Sequence, residues 1–115
     1  MRDFDLIRTI LKEAEDVQAS NPVGGFEYPD EYDQQTVNDH TKLLIDSGFI
    51  NGECSDFIGG DMEFSISGLT WKGHDFIEEA FKDENLWEKG KKFALSQSTS
   101  LSIELLLKWL KSQLL

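Results

Sequence analysis

The chain is read as a mixed α+β domain: helix, short strand, helix, β-hairpin, helix, then a C-terminal helical extension. Three observations lead to this reading. Apolar residues recur at helical spacing near the N-terminus, alternate with period two around residue 64, and crowd the last fifteen positions. With 115 residues and 39% hydrophobic content, the chain has enough apolar surface for one domain. The expected organisation is a single domain over residues 1–115, with a core over 1–82 and a helical extension over 83–115 packed on it or dimerising.

The first helix is expected from Asp3 to about Ala19. Leu6, Ile7, Ile10, Leu11, Ala14 and Val17 share one face, and Asp3 or Asp5 supplies the cap. Ser20-Asn21-Pro22 and Gly24-Gly25 end it. Phe26-Glu27-Tyr28 alternates before Pro29 and reads as a very short edge strand. The next helix runs between Asp33, an N-cap type, and Gly48, a C′ type. Val37, His40 or Thr41, and Leu44 mark its inner side.

Phe49 to about Phe57 and Met62-Glu63-Phe64-Ser65-Ile66 then form a hairpin around Gly59-Gly60. Leu69 fills the core at the end of the second strand, Thr70 caps a following helix, and Gly73 lets another element approach. Asp83-Glu84-Asn85 is a joint before a further helix, and Gln97 to Ser100 is a polar break. Leu101 to Leu115 holds nine large apolar residues, too many for one narrow stripe. That helix is either deeply wrapped or shared with a second subunit.

The charge is concentrated. The net charge of −11 resides in residues 1–68, and the remainder is neutral. From Glu27 to Glu63 there are ten acids and one base, Lys42. No apolar run reaches the roughly 20 residues of a membrane span, and no secretory signal opens the chain. A lone cysteine fits a reducing compartment, so the expected location is the cytoplasm.

The element order resembles a winged helix, with Thr36 to Ile50 similar to the recognition-helix region of small bacterial repressors. The segment between Ala19 and Asp33 leaves little room for the usual second helix, which weakens the standard DNA-docking geometry. A second resemblance covers most of the chain. Arg2-Asp3-x-Asp5-Leu6-Ile7-Arg8-x-Ile10-Leu11, His40-x-Lys42-Leu43-Leu44 with Gly48-x-Ile50, and Leu69-Thr70-Trp71-x-Gly73-His74-x-Phe76 resemble an uncharacterised domain-of-unknown-function family of bacteria, phages and prophages. That resemblance implies a setting and a fold, with no established activity.

No nucleophile elbow, phosphate loop or zinc-protease motif is present in the sequence, and no cofactor is expected. Cys54 with His40 is a conceivable nucleophile and base, and His74 with Glu78 a conceivable ligand pair, but each constellation is incomplete. The surface expected to meet a partner comprises Gln34, Asn38, Asp39, Lys42 and Asp46 on the helix, with Glu53, Asp56 and Asp61 on the hairpin. Gln and Asn side chains suit base edges, yet the acids repel phosphates, so nucleic acid is disfavoured as the partner. A protein with a basic surface is favoured, and DNA-binding transcription regulation is the alternative. Leu105, Trp109 and Leu110 are the expected homodimer contacts, and Trp71, Trp87 and Trp109 are candidate anchors.

Overall fold

The computed structural model describes residues 3–56, 62–96 and 102–113. It is a mixed α+β structure with helices α1 (Phe4–Ala14), α2 (Gln34–Asp46), α3 (Trp71–Ala80), α4 (Glu84–Leu95) and α5 (Ser102–Ser112). Strands β1 (Ile50–Asp56) and β2 (Met62–Leu69) form an antiparallel hairpin between α2 and α3. The chain forms two compact units, residues 1–74 and 75–115.

In the first unit, α1 presents Leu6, Ile7, Ile10, Leu11 and Ala14 as a fully buried stripe, as the 3.6-residue spacing requires. The Asp3 carboxylate accepts from the Leu6 amide at 3.0 Å and caps the helix. The helix ends at Ala14, earlier than the expected Ala19. Beyond it Gln18 and Asn21 form an isolated bridge, so the polar run after Ala14 turns back on itself. Val17 is half-buried without being helical.

Residues 26–28 are not a strand, contrary to the sequence expectation. The contact with the hairpin comes three residues earlier. Val23 donates to the Ile66 carbonyl at 3.0 Å and accepts from the Ile66 amide at 2.8 Å. Phe26 instead turns into the core at 3% exposure. Burying a phenylalanine side chain stabilises by more than the modest net gain of the few hydrogen bonds a three-residue edge strand would make.

Both ends of α2 follow the sequence. Asp33 caps it by accepting from the Thr36 amide at 2.7 Å. At the other end Gly48 takes φ +82°, a left-handed conformation that side-chain-bearing residues disfavour. The chain then enters β1 at once, with Phe49 and Ile50 buried. The hairpin pairs Glu53 with Ser65 and Ser55 with Glu63, and its register shifts between Asn51 and Gly52, leaving Ser67 as the extra residue. Met62 and Phe64 are half-buried and Ile66 fully buried, while Glu63 and Ser65 face solvent.

Thr70 caps α3, its hydroxyl accepting from the Gly73 amide at 3.1 Å. A Cβ added at Gly73 would lie 2.2 Å from the Phe49 carbonyl oxygen, so the close approach leaves room for no side chain. In the second unit, Trp87 is fully buried and meets Phe76 edge-on at 6.0 Å. Asp83 caps α4 through the Asn85 and Leu86 amides. Ile103, Leu106, Leu107 and Leu110 of α5 are buried, and Trp109 stacks on Phe93 of α4 at 6.2 Å. Lys111 of α5 is ion-paired with Asp75 of α3. The crowded apolar sequence of α5 therefore closes on α4 within the chain. The expected polar break at 97–100 and hairpin turn at 59–60 lie outside the described residues, as do Leu101, Leu114 and Leu115.

Candidate functional site

In the first unit, both α2 and the hairpin carry exposed carboxylates. Asp39 and Asp46 are exposed on α2, and Glu53 and Glu63 are exposed on β1 and β2. Lys42 is held by Asp46 at 3.0 Å, one helical turn away, so the cation of this stretch is already engaged by an acid. Asp61 lies outside the described residues, and of Asp56 the backbone alone is described, paired with Met62.

The amides singled out as base readers are engaged within the chain. The Gln34 side-chain amide donates to the Asn38 side chain at 2.8 Å and to the Phe26 carbonyl at 2.9 Å. Gln35 donates to Asp39 at 2.8 Å. These i, i+4 bonds lay the amides along the helix surface. Beside Gln34 and Asn38 runs an open groove of about 460 Å³, lined also by Gly25, Glu27, Met62 and Phe64. A second hollow of about 480 Å³ lies on the other side of the Gly25–Phe26 segment, walled by Glu13, Asp16, Val17 and Asn21. Sequence reasoning missed both hollows. They depend on where residues 23–27 leave the hairpin, which periodicity does not encode.

His40 is 7% exposed, and both its ring nitrogens are occupied. Nε2 accepts the Asp3 amide at 3.0 Å, and Nδ1 donates to the Thr36 carbonyl at 2.8 Å. An amide can only donate and a carbonyl can only accept, so this pattern fixes the neutral Nδ1–H tautomer. His40 ties the start of α1 to α2. Acting as a base for Cys54 would require breaking that tie. His74 is exposed in the first turn of α3, and Cys54 is half-buried. Among the described residues, no group of three or more His, Cys, Asp and Glu side chains is placed to hold a metal ion.

Several titrating groups are displaced from their ordinary values. The Thr36 side chain and amide hold the Asp33 carboxyl below the usual carboxylate value. Burial, then the Asp3 carboxylate, pushes the Tyr32 phenol up to about 12. Burial and its 2.9 Å hydrogen bond to Glu13 also raise Tyr28. The Glu15 carboxylate beside Lys12 raises that ammonium. Each shift has a local structural cause: a helix cap, an ion pair, or a tyrosine covering the α1 surface.

The expected contact residues of the C-terminal part are placed as follows. Leu110 is 3% exposed within the chain, Trp109 is half-buried on Phe93 and Gly90, and Leu105 is half-buried. Of the tryptophans, Trp87 is core, whereas Trp71 is 90% exposed.

Two helices and a hairpin around a buried α1 stripe define the first unit as a small α+β class in which exposed acids are carried on α2 and the hairpin. Within it, residues 1–100 match the family described as Hypothetical protein (DUF2513), and the chain belongs to that family. It is also 32% identical over 107 residues to an uncharacterized protein of Haemophilus influenzae (strain ATCC 51907 / DSM 11121 / KW20 / Rd), covering 90% of this chain and 86% of the relative. No solved structure matches the chain. Among the described residues, no helix is long and apolar enough to cross a membrane.

Proposed function

We propose that this chain is a winged-helix-like protein of the cytoplasm, of phage or prophage setting, that acts through protein contacts rather than catalysis. Its α2–hairpin surface meets a basic surface of a partner. The observation that carries this reading is the exposed set Asp39, Asp46, Glu53 and Glu63, with Lys42 held by Asp46. Such a surface attracts cationic groups and speeds encounter with them. It opposes phosphate binding, whose strength comes mainly from Lys and Arg. The engaged amides of Gln34, Gln35 and Asn38 weigh the same way, because base reading would first have to break their bonds.

The test is capture from a bacterial host lysate with the natural chain and a variant carrying Asp39, Asp46, Glu53 and Glu63 all changed to Lys. Partners that are lost with the variant and eluted by salt from the natural chain support the reading. Equal capture by both proteins refutes it. A salt-sensitive shift of duplex DNA by the natural chain, abolished in Lys42→Ala, would establish the regulator alternative instead.

A further inference from the structure

We infer that the outer edge of β2 at Met62 and Phe64 is a docking site for an extended, cationic segment of a protein partner, which adds to the hairpin as a short third strand. This rests on the acidic-surface reading above and specifies how the partner is gripped. The argument begins with hydrogen-bond direction. Ile66 exchanges both its backbone bonds with Val23, so its N–H and C=O point away from β1. Along a strand these groups alternate sides, and the N–H and C=O of Phe64 and Met62 therefore point the same way.

Val23 pairs with β2 only as an isolated bridge at Ile66, and the pairing stops there. Gly24 passes the Phe64 carbonyl, with a Cβ built on it 3.9 Å from that oxygen. No backbone hydrogen bond joins the two among the described residues. The chain then leaves β2 as Phe26 turns into the core. The outward backbone groups of Phe64 and Met62 thus have no hydrogen-bond partner among the described residues. An unpaired edge of this kind is a template for an added strand.

The edge opens on the groove of about 460 Å³ bounded by Gln34 and Asn38. Met62 and Phe64 offer apolar floor for alternate side chains of a segment lying there. The charge fixes the partner's chemistry. Glu27 lines the groove, no Lys or Arg among the described residues does, and the stretch from Glu27 to Glu63 holds ten acids against Lys42. The favoured occupant alternates apolar and basic residues, with the apolar ones inward.

The experiment is amide-resolved NMR titration of the full chain with an octapeptide of alternating valine and lysine. Three comparison peptides are used: one alternating valine and glutamate, one of the valine–lysine pattern N-methylated at alternate backbone positions, and one with the same composition scrambled. Strand addition is supported by shifts and slowed amide exchange at residues 62–66 and 24–27, with binding at least about tenfold weaker for the glutamate and N-methylated peptides. Met62→Pro removes an outward donor at the first position of the strand, where proline is tolerated, and should weaken binding to a similar extent while leaving the spectrum of α1 unchanged. Shifts confined to Asp39, Asp46 and Glu53, insensitive to N-methylation and to Met62→Pro, would overturn strand addition and leave the acidic-surface reading standing. No shifts at all, or protection of 62–66 that grows with protein concentration without peptide, would also overturn it, the second outcome assigning the edge to another copy of this chain.

Discussion

Replacing Gly73 by alanine opposes two effects of known sign. Alanine improves intrinsic helix propensity by about 1 kcal/mol at an interior position. At Gly73 its Cβ would meet the Phe49 carbonyl oxygen at 2.2 Å and Leu69 Cδ2 at 3.1 Å. Carbon–oxygen contacts settle near 3.3 Å, so the start of α3 must retreat by about 1 Å. That displacement strains the Thr70 amide bond to the same Phe49 carbonyl, 3.2 Å long, worth about 1 kcal/mol. Overpacking against backbone adds about 1–3 kcal/mol, with no side chain able to swing aside. The net expectation is a loss of about 2 kcal/mol, or about 1 M in the urea midpoint.

Two other glycines serve as controls. At Gly90 the added Cβ would lie 2.8 Å from Leu106 Cδ1 and 3.1 Å from the Trp109 ring, side chains rather than backbone, so the gain in helix propensity offsets more of the crowding and Gly90→Ala should cost less than Gly73→Ala. At Gly48 no atom lies within 4 Å, but φ is +82°, so alanine there should cost about 1–2 kcal/mol from backbone strain alone. Urea unfolding followed by circular dichroism ranks the three. A Gly73→Ala protein as stable as the natural chain would refute the close-approach argument.

The remaining expectations concern titrating and hydrogen-bonded groups. Asp33 has its folded-state pKa lowered, so its contribution is present above the ordinary carboxylate value and is lost as pH falls through the folded value; Asp33→Asn should remove that part of the acid sensitivity in unfolding curves measured between pH 2 and 6. Tyr28 and Tyr32 are both raised, so their contribution is full below the unfolded value near 10 and is lost at higher pH. Tyrosinate absorbance at 295 nm should therefore lag behind that of the urea-unfolded chain, and coincident titrations would contradict the burial assigned to them. The His40 ring should show the Nδ1–H tautomer in long-range nitrogen–proton spectra. His40→Phe should lower stability by about 1–3 kcal/mol by leaving the Asp3 amide unpaired, and an Nε2–H tautomer would contradict the bridge to Asp3.

Residues with a local physical role were readable in the sequence. Asp33, Gly48 and Thr70 mark helix boundaries because capping is decided within a few residues, whereas Asp83 was readable only as part of a joint and not as the cap it forms. The period-two run through Phe64 identified β2 for the same reason. Local pattern overextended α1, because Val17 continues the helical spacing after the backbone has already turned. The supposed strand at 26–28 failed on a long-range choice, as Val23 found Ile66 and Phe26 found the core. The exposure of Trp71 was equally hidden, since a tryptophan between a cap and a lysine reads alike whether buried or free. Acidic concentration on α2 and the hairpin was visible as a charge count, and the internal bonds of its amides were not.

Photo-crosslinking from position 39 tests the central claim most directly. A photoreactive phenylalanine analogue replaces Asp39 on α2 in one protein and Lys89 on α4 in another, and each is irradiated in a bacterial host. The expected result is a protein adduct from position 39 whose crosslinked peptide is rich in Lys and Arg, weakened when Asp46, Glu53 and Glu63 are changed to Lys, and absent from position 89. Adducts to DNA from position 39, or the same protein adduct from both positions, would contradict the account.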